Sequence, residues 1–240
     1  MLRTVLWYTL GWAFLILTIP ALWVARHYDR KGNHEKHAQL TERMTACIAR
    51  FLFRLTGSRV TVTGLEHVPQ QGAVLFVGNH QGHMDSLIIH GFIPKLKGFI
   101  SIVEVLKFPI IRSWMRHMKC VFLDRTDARQ SAMCLVEAIG YLKQGHSMVV
   151  FPEGRLSDGD QANEFKRGWL RLATKSGVPI IPVSIKGSYQ ILAKDGSRVC
   201  AASVDCIISE PMTTADLKKA DEPEFINRLQ AVIMQQVENG

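Results

Sequence analysis

The sequence predicts an α/β layer fold, a largely parallel sheet flanked by helices, with an N-terminal membrane-associated helical segment. Three observations carry this. From Gly57 onward, short runs rich in Val and Ile alternate with longer amphipathic stretches, as strands do when crossover helices join them. Residues 4–25 contain no charge at all. The 240 residues, 47% hydrophobic and 21% charged, can bury one core and leave an appendage, which excludes a disordered chain.

The uncharged run, TVLWYTLGWAFLILTIPALWVA, holds Trp7, Trp12 and Trp23. As a helix it rises ~33 Å against a hydrocarbon core of ~30 Å. It exceeds the ~7–15 apolar residues of a signal peptide and no A-x-A site comes after it, so a retained anchor is expected. Pro20 can kink or end the helix, so a true span and a re-entrant or monotopic insertion both stay open. Between Arg26 and Arg59, eight Lys/Arg face three acids in a chain of net charge +8. Basic residues placed directly after an apolar segment put the next part of the chain on the cytoplasmic side. Their location points to an anionic membrane surface or anionic substrate, not to nucleic acid.

Residues 38–56 place Leu40, Met44, Cys47, Ile48, Phe51, Leu52 and Leu55 on one helical face, bordered by Arg43, Arg50 and Arg54. Two readings fit: an ordinary helix packed on the domain, or an interfacial helix with arginines at lipid phosphates. The chain is therefore divided into residues 1–56, an anchor with an interfacial amphipathic helix, and residues 57–240, the α/β domain.

In that second part the strand candidates are 60–63, 73–77, 121–123, 148–151, 180–184 and 203–208. Helix candidates lie near 86–92, 104–117, 128–143, 164–176 and 223–237. Ligands of parallel sheets sit at the carboxyl ends of strands, so chemistry is sought just past each one. Cys47, Cys120, Cys134, Cys200 and Cys206 are odd in number and widely spaced, with no C-x-x-C pair and no His at zinc spacing. They read as reduced thiols, mostly core fillers, and no metal is expected.

Four clusters lie at or just past strand candidates. The first is Asn79-His80-Gln81-Gly82-His83-Met84-Asp85. An imidazole titrating near pH ~6.5 can take a proton from a hydroxyl if a carboxylate fixes its tautomer. On a continuous helix His80 and Asp85 stand about 140° apart, so pairing requires His80 in the loop and Asp85 in the next helix's first turn. His83 and His90 have no partner at such spacing. The second cluster, Cys120 to Arg125, is an apolar strand ending in an Arg, either a fork for phosphate or a surface ion pair with Asp124 or Asp127. The third runs from Val149 into Phe151-Pro152-Glu153-Gly154, where Gly154 permits positive φ or close backbone approach. The fourth, Val178-Pro179-Ile180-Ile181-Pro182-Val183, reads in isolation as an edge strand because of its prolines.

In this order the clusters resemble the four motifs of the glycerol-3-phosphate and lysophosphatidic acid acyltransferase superfamily, PlsC-like, over most of residues 57–212. The N-H-x4-D and F-P-E-G blocks, about 70 residues apart, are specific as a series. The resemblance makes residues 57–240 a glycerolipid acyltransferase domain. It implies catalysis by His80 and Asp85, acceptor phosphate at Arg125, and an acceptor site at Glu153 and Gly154. Pro182 falls in the fourth motif, associated with the donor side. Three departures stand out. Lys119 replaces the Gly that usually opens the second motif, Arg155-Leu156-Ser157 replaces T-R-S, and Ile102 stands where a Lys is common. Lys107, Arg155 or Lys166 are the candidates for the missing charge.

The resemblance further implies an acyl thioester donor on coenzyme A or acyl carrier protein, no tightly bound cofactor, and a bacterial cell membrane with the catalytic domain facing the cytoplasm. The expected partners are membrane lipids and a lysophospholipid acceptor. With no G-x-S-x-G elbow, direct transfer through a base is favoured over an acyl-enzyme. The expected reaction acylates the sn-2 hydroxyl of 1-acyl-glycerol-3-phosphate to give phosphatidic acid. Rivals are another lysolipid acceptor such as lyso-ornithine lipid, a non-catalytic membrane binder, and a lipid hydrolase.

Overall fold

The computed structural model describes residues 1–159 and 161–239. Three helices come first: α1 (Leu2–Leu17), α2 (Ile19–Arg30) and α3 (His34–Leu55). The remainder alternates β1 (Arg59–Thr63), β2 (Leu75–Gly78), α4 (Asp85–Phe92), β3 (Lys97–Ile102), α5 (Pro109–His117), β4 (Val121–Leu123), α6 (Ala128–Lys143) and β5 (Ser147–Val150). It ends with α7 (Leu170–Ser176), β6 (Ile180–Lys186), β7 (Ser203–Ile208) and α8 (Glu222–Asn239).

The sheet order is β1-β7-β6-β2-β5-β3-β4, parallel throughout except between β6 and β7. Strands β2 and β5 are buried at every position, as continuous Val/Ile/Leu runs require when both faces are covered. Alternate side chains feed two cores. Phe76, Ile181 and Val183 pack with Phe53 of α3 and with Ile88 and Ile89 of α4. Leu75, Val77 and Ile180 pack with Ala138 of α6, Leu172 of α7 and Leu229 of α8.

Strand β3 escapes sequence reading because it opens on Lys97-Gly98. Lys97 is 1% exposed, its ammonium donating to the carbonyls of Ile93 at 2.8 Å and Lys95 at 2.7 Å. Gly98 is demanded by crowding, since a Cβ there would lie 2.5 Å from the Lys119 carbonyl oxygen. Lys119 itself has φ 61°, the left-handed region, which explains why a Gly suits that position. The fourth cluster is an interior strand, not an edge. Pro182 sits in β6 between β2 and β7, and its missing N–H falls beyond the end of β7, where only its carbonyl is used, by the Ser209 N–H at 3.0 Å.

At the N-terminus Pro20 lies in the first turn of α2, where no N–H is needed, and the helical run continues through Thr18. Leu2–Arg30 is long and apolar enough to cross a membrane, with 22% of its most apolar window buried. Leu2, Val5, Leu6, Ile16, Leu17 and Trp23 remain exposed. The other side of α1 leans on the body: Trp7 Nε1 donates to the Leu52 carbonyl at 2.8 Å, and Thr4 Oγ1 accepts the Val199 N–H at 3.0 Å.

Helix α3 buries Thr41, Thr45, Ala46, Ile48, Ala49 and Phe53, and it packs on α4. Part of its predicted apolar face has protein partners, while Cys47 on that face stays exposed. Leu40, Met44 and Leu52 join Leu15, Leu22 and Trp114 in a third cluster, and Phe51 stacks on Phe14 with centroids 4.1 Å apart.

Candidate active site

The loops after β2, β4, β5 and β6 all leave the carboxyl edge of the parallel strands, and together they build the site. Asn79 shapes the first of them. Its side chain exchanges two 2.8 Å hydrogen bonds with the backbone of Ile185, which prolongs the β2–β6 pairing beyond Gly78. His80 comes next in the loop and Asp85 opens α4, so the two meet across the turn with Nδ1···Oδ2 at 2.8 Å.

Asp85 is fully buried. Its Oδ2 also accepts the Gly82 N–H at 2.9 Å, and its Oδ1 accepts the Ser188 hydroxyl. A carboxylate only accepts, so Nδ1 of His80 carries the hydrogen and Nε2 holds the lone pair, the form that can take a proton. The ring stacks on Phe151, with centroids 4.1 Å apart and planes 11° from parallel.

Glu153, which the sequence resemblance assigns to an acceptor site, turns inward. It is 1% exposed, and protein donors surround both oxygens. Oε1 accepts the His80 N–H at 2.7 Å, and Oε2 accepts the Asn163 N–H at 2.7 Å and its Nδ2 at 2.9 Å. The Ser157 hydroxyl lies within hydrogen-bonding reach of both, at 3.0 and 2.8 Å. The Ser157 N–H in turn donates to the His80 carbonyl at 2.7 Å. Glu153 therefore clamps the His80 peptide and is absent from the lining of the cavity on which His80 opens. It faces inward because a charged group this deeply buried must be satisfied by protein donors.

His80 lines a cavity of about 760 Å³. Arg125, Arg155 and Lys166 line it, together with Gly154, and no Asp or Glu does so among the described residues. Leu52, Leu87, Phe99, Ile111, Trp114 and Met115 form an apolar wall. Arg125 makes no ion pair with Asp124 or Asp127. Those carboxylates accept instead from Thr126 and from the first N–H groups of α6, which leaves the guanidinium to the cavity. Arg155 is aimed by Asn163, whose Oδ1 accepts from Nε at 3.1 Å and Nη2 at 2.9 Å.

Gly154 has φ +70°, and a Cβ there would lie 3.0 Å from the Lys166 Nζ, so the glycine makes room for that ammonium. Lys107 does not join them. It is exposed in the turn before α5 and lies outside the cavity wall.

The two other histidines near the dyad take no part in it. Nε2 of His83 meets the Lys194 carbonyl at 3.1 Å, although its ring reaches the cavity wall. His90 is buried beside Thr45 at 2.7 Å, and burial holds its imidazole well below its ordinary pKa. Sequence reasoning missed Ser188, Asn163 and Ser157. Ser188 had one legible signal, its place directly after the Gly187 turn that ends β6, at the carboxyl edge.

A buried carboxylate paired with an imidazole at the carboxyl edge of a parallel sheet, facing a cavity lined by three cations and an apolar wall, defines an α/β enzyme. The acyltransferase family model matches residues 59–186. A probable 1-acyl-sn-glycerol-3-phosphate acyltransferase of Mycoplasma pneumoniae is 31% identical over 233 residues, 92% of this chain and 87% of that protein. The 1-acyl-sn-glycerol-3-phosphate acyltransferase of Borreliella burgdorferi is 32% identical over 155 residues, 63% of this chain and 60% of that protein. The crystal structure of the 1-acyl-sn-glycerophosphate (LPA) acyltransferase PlsC from Thermotoga maritima has the same fold, with TM-score 0.87 and 29% identity over 99% of this chain and 94% of that one. The chain belongs to the acyltransferase family.

Proposed function

We propose that this acyltransferase moves an acyl chain from a thioester of coenzyme A or acyl carrier protein to the sn-2 hydroxyl of 1-acyl-glycerol-3-phosphate, giving phosphatidic acid at a membrane surface. One observation carries the reading. The dyad of His80 and Asp85 opens on a cavity that has three cations, no acid among the described residues, and an apolar wall. A lysophosphatidic acid presents a phosphate, a hydroxyl and a hydrocarbon chain in that order. The names of the relatives support the same acceptor.

Nε2 of His80 takes the acceptor's hydroxyl proton as the oxygen attacks the thioester carbonyl. The tetrahedral intermediate collapses with loss of the thiolate, which receives the proton back from the imidazolium. Asp85 stabilises that imidazolium from Nδ1 without taking the proton itself. Arg125, Arg155 and Lys166 hold the phosphate, Arg125 through its planar fork. The uncharged helical run holds the enzyme in the lipid that supplies acceptor and takes up product. The basic residues after that run support a cytoplasmic position for the catalytic part.

The test is a panel of lysolipid acceptors offered with labelled acyl-CoA and acyl carrier protein thioesters. Transfer to lysophosphatidic acid above all others is expected. Thiol release that does not depend on added lysolipid would make the protein a hydrolase. Preference for a lysolipid without a terminal phosphate would remove the acceptor assignment.

A further inference from the structure

Where the turn between α2 and α3 meets the end of α5, three side chains converge that the cavity does not use. Asp29 stands in the last turn of α2, His37 in the first turn of α3, and His117 ends α5. His37 Nε2 and His117 Nδ1 are 2.9 Å apart, and one ligand atom from each of the three residues lies within 4.8 Å of the other two. None of the three lines the cavity that holds His80. Sequence spacing hides the group, because His37 and His117 are 80 positions apart.

A tetrahedral ion with bonds of ~2.0–2.2 Å spaces its ligand atoms ~3.3 Å apart. The two imidazole nitrogens need to part only slightly to reach that spacing. Asp29 is exposed, and its carboxylate accepts no hydrogen bond among the described residues, so its side chain can turn inward. A simple N–H···N bond between neutral imidazoles also explains the histidine pair. It does not explain why an unengaged carboxylate faces both.

An ion takes a lone pair from one nitrogen of each ring, and the ring that donates in the pair frees that nitrogen by carrying its hydrogen on the other one. Arg26 and Lys119 lie close enough to His117 to oppose an added dication. The expected affinity is therefore on the order of micromolar and not that of a thiolate site.

We infer that Asp29, His37 and His117 bind a borderline transition-metal dication of the Zn²⁺ or Co²⁺ kind through one carboxylate oxygen and two imidazole nitrogens, with solvent in the fourth position. Two nitrogen donors disfavour Mg²⁺ and Ca²⁺, and the lack of thiolate disfavours Cu(I) and iron–sulfur chemistry. The ion would staple the α2–α3 pair onto α5, the helix that lends Ile111, Trp114 and Met115 to the cavity wall.

The test uses full-length, tag-free protein in detergent, stripped with a chelator and titrated with Co²⁺. One equivalent should produce the visible absorption of a tetrahedral site, and Zn²⁺ should displace it. At a hundredfold excess over the dissociation constant, Zn²⁺ should raise Tm by roughly 5–10 °C. Asp29→Asn, at an exposed position, should weaken binding by about tenfold or more, and His117→Gln should abolish the band. No saturable band in the wild type up to millimolar Co²⁺ would overturn the inference. So would a band that survives His117→Gln, or one that Asp29→Asn leaves untouched.

Discussion

Glu153 accepts the backbone N–H of His80 at 2.7 Å, so the loop after β5 holds the peptide that carries the imidazole. The same carboxylate holds Asn163, and Asn163 holds Arg155. One buried carboxylate thus connects the base to a cation that lines the cavity.

Glu153→Gln keeps the shape but turns an amide N–H₂ toward donors. Each charge-assisted bond lost is worth ~1.5–3 kcal/mol, much of it expressed as a displaced loop. A fall of about 10–100-fold in kcat is expected through the displaced His80 peptide, together with a rise in acceptor KM through Asn163 and Arg155. Steady-state kinetics with varied lysolipid checks this, and an unchanged kcat would show that the bond to the His80 N–H does not position the base.

His80→Ala and Asp85→Asn should each lower turnover by ~10²-fold or more while the protein stays folded and membrane-bound. Ser188→Ala should have a smaller effect, about tenfold in kcat, because it frees one oxygen of Asp85 without removing the dyad. Ser188→Thr keeps the hydroxyl and should restore most of the loss. If the Ala variant turned over at the wild-type rate, the bond to Asp85 would have no part in setting the imidazole.

Arg125→Ala should raise acceptor KM, or lower kcat/KM for the acceptor, by ~10–150-fold, the worth of a charge-assisted contact. Donor use should change little. Lys at this position should recover only part, since an ammonium lacks the planar fork. Wild-type kinetics in Arg125→Ala would take away the main ground for a phosphate-bearing acceptor.

Lys97 gives a pH prediction. Burial lowers its pKa from 10.5 to about 7, against the opposing pull of Glu42. Between those two values the unfolded chain binds the proton and the folded chain does not, so stability rises with pH, by ~1.4 kcal/mol per unit from this one group. The contribution is flat below about 7 and above about 10.5. Lys97→Met lacks this dependence, so the difference in unfolding free energy between the two proteins should shift in favour of the wild type as pH rises from 7 to 10. Parallel denaturation curves across that range would show that Lys97 titrates normally.

Much of the site could be read from the chain because its parts are local. The pairing of His80 with Asp85 needs only a loop followed by a helix start, five residues apart and folding together. Arg125 ends an apolar strand, and that placement alone puts it at the ligand edge of a parallel sheet. Strand β3 was not legible because its buried lysine imitates a surface residue, and nothing near it in sequence shows the carbonyls of Ile93 and Lys95 turning to receive the ammonium.

By itself the sequence determined the α/β alternation, the uncharged N-terminal helix, the dyad and the cationic strand end, all set by periodicity and neighbours within one or two turns. Only the tertiary structure decided that Glu153 clamps His80 across 73 positions, that Ser188 reaches Asp85 across 103, and that Pro182 lies in the middle of the sheet. The reason is physical. A carboxylate has the same chemistry whether it faces a substrate or a backbone N–H, and its direction depends on which strand the sheet order sets beside its own.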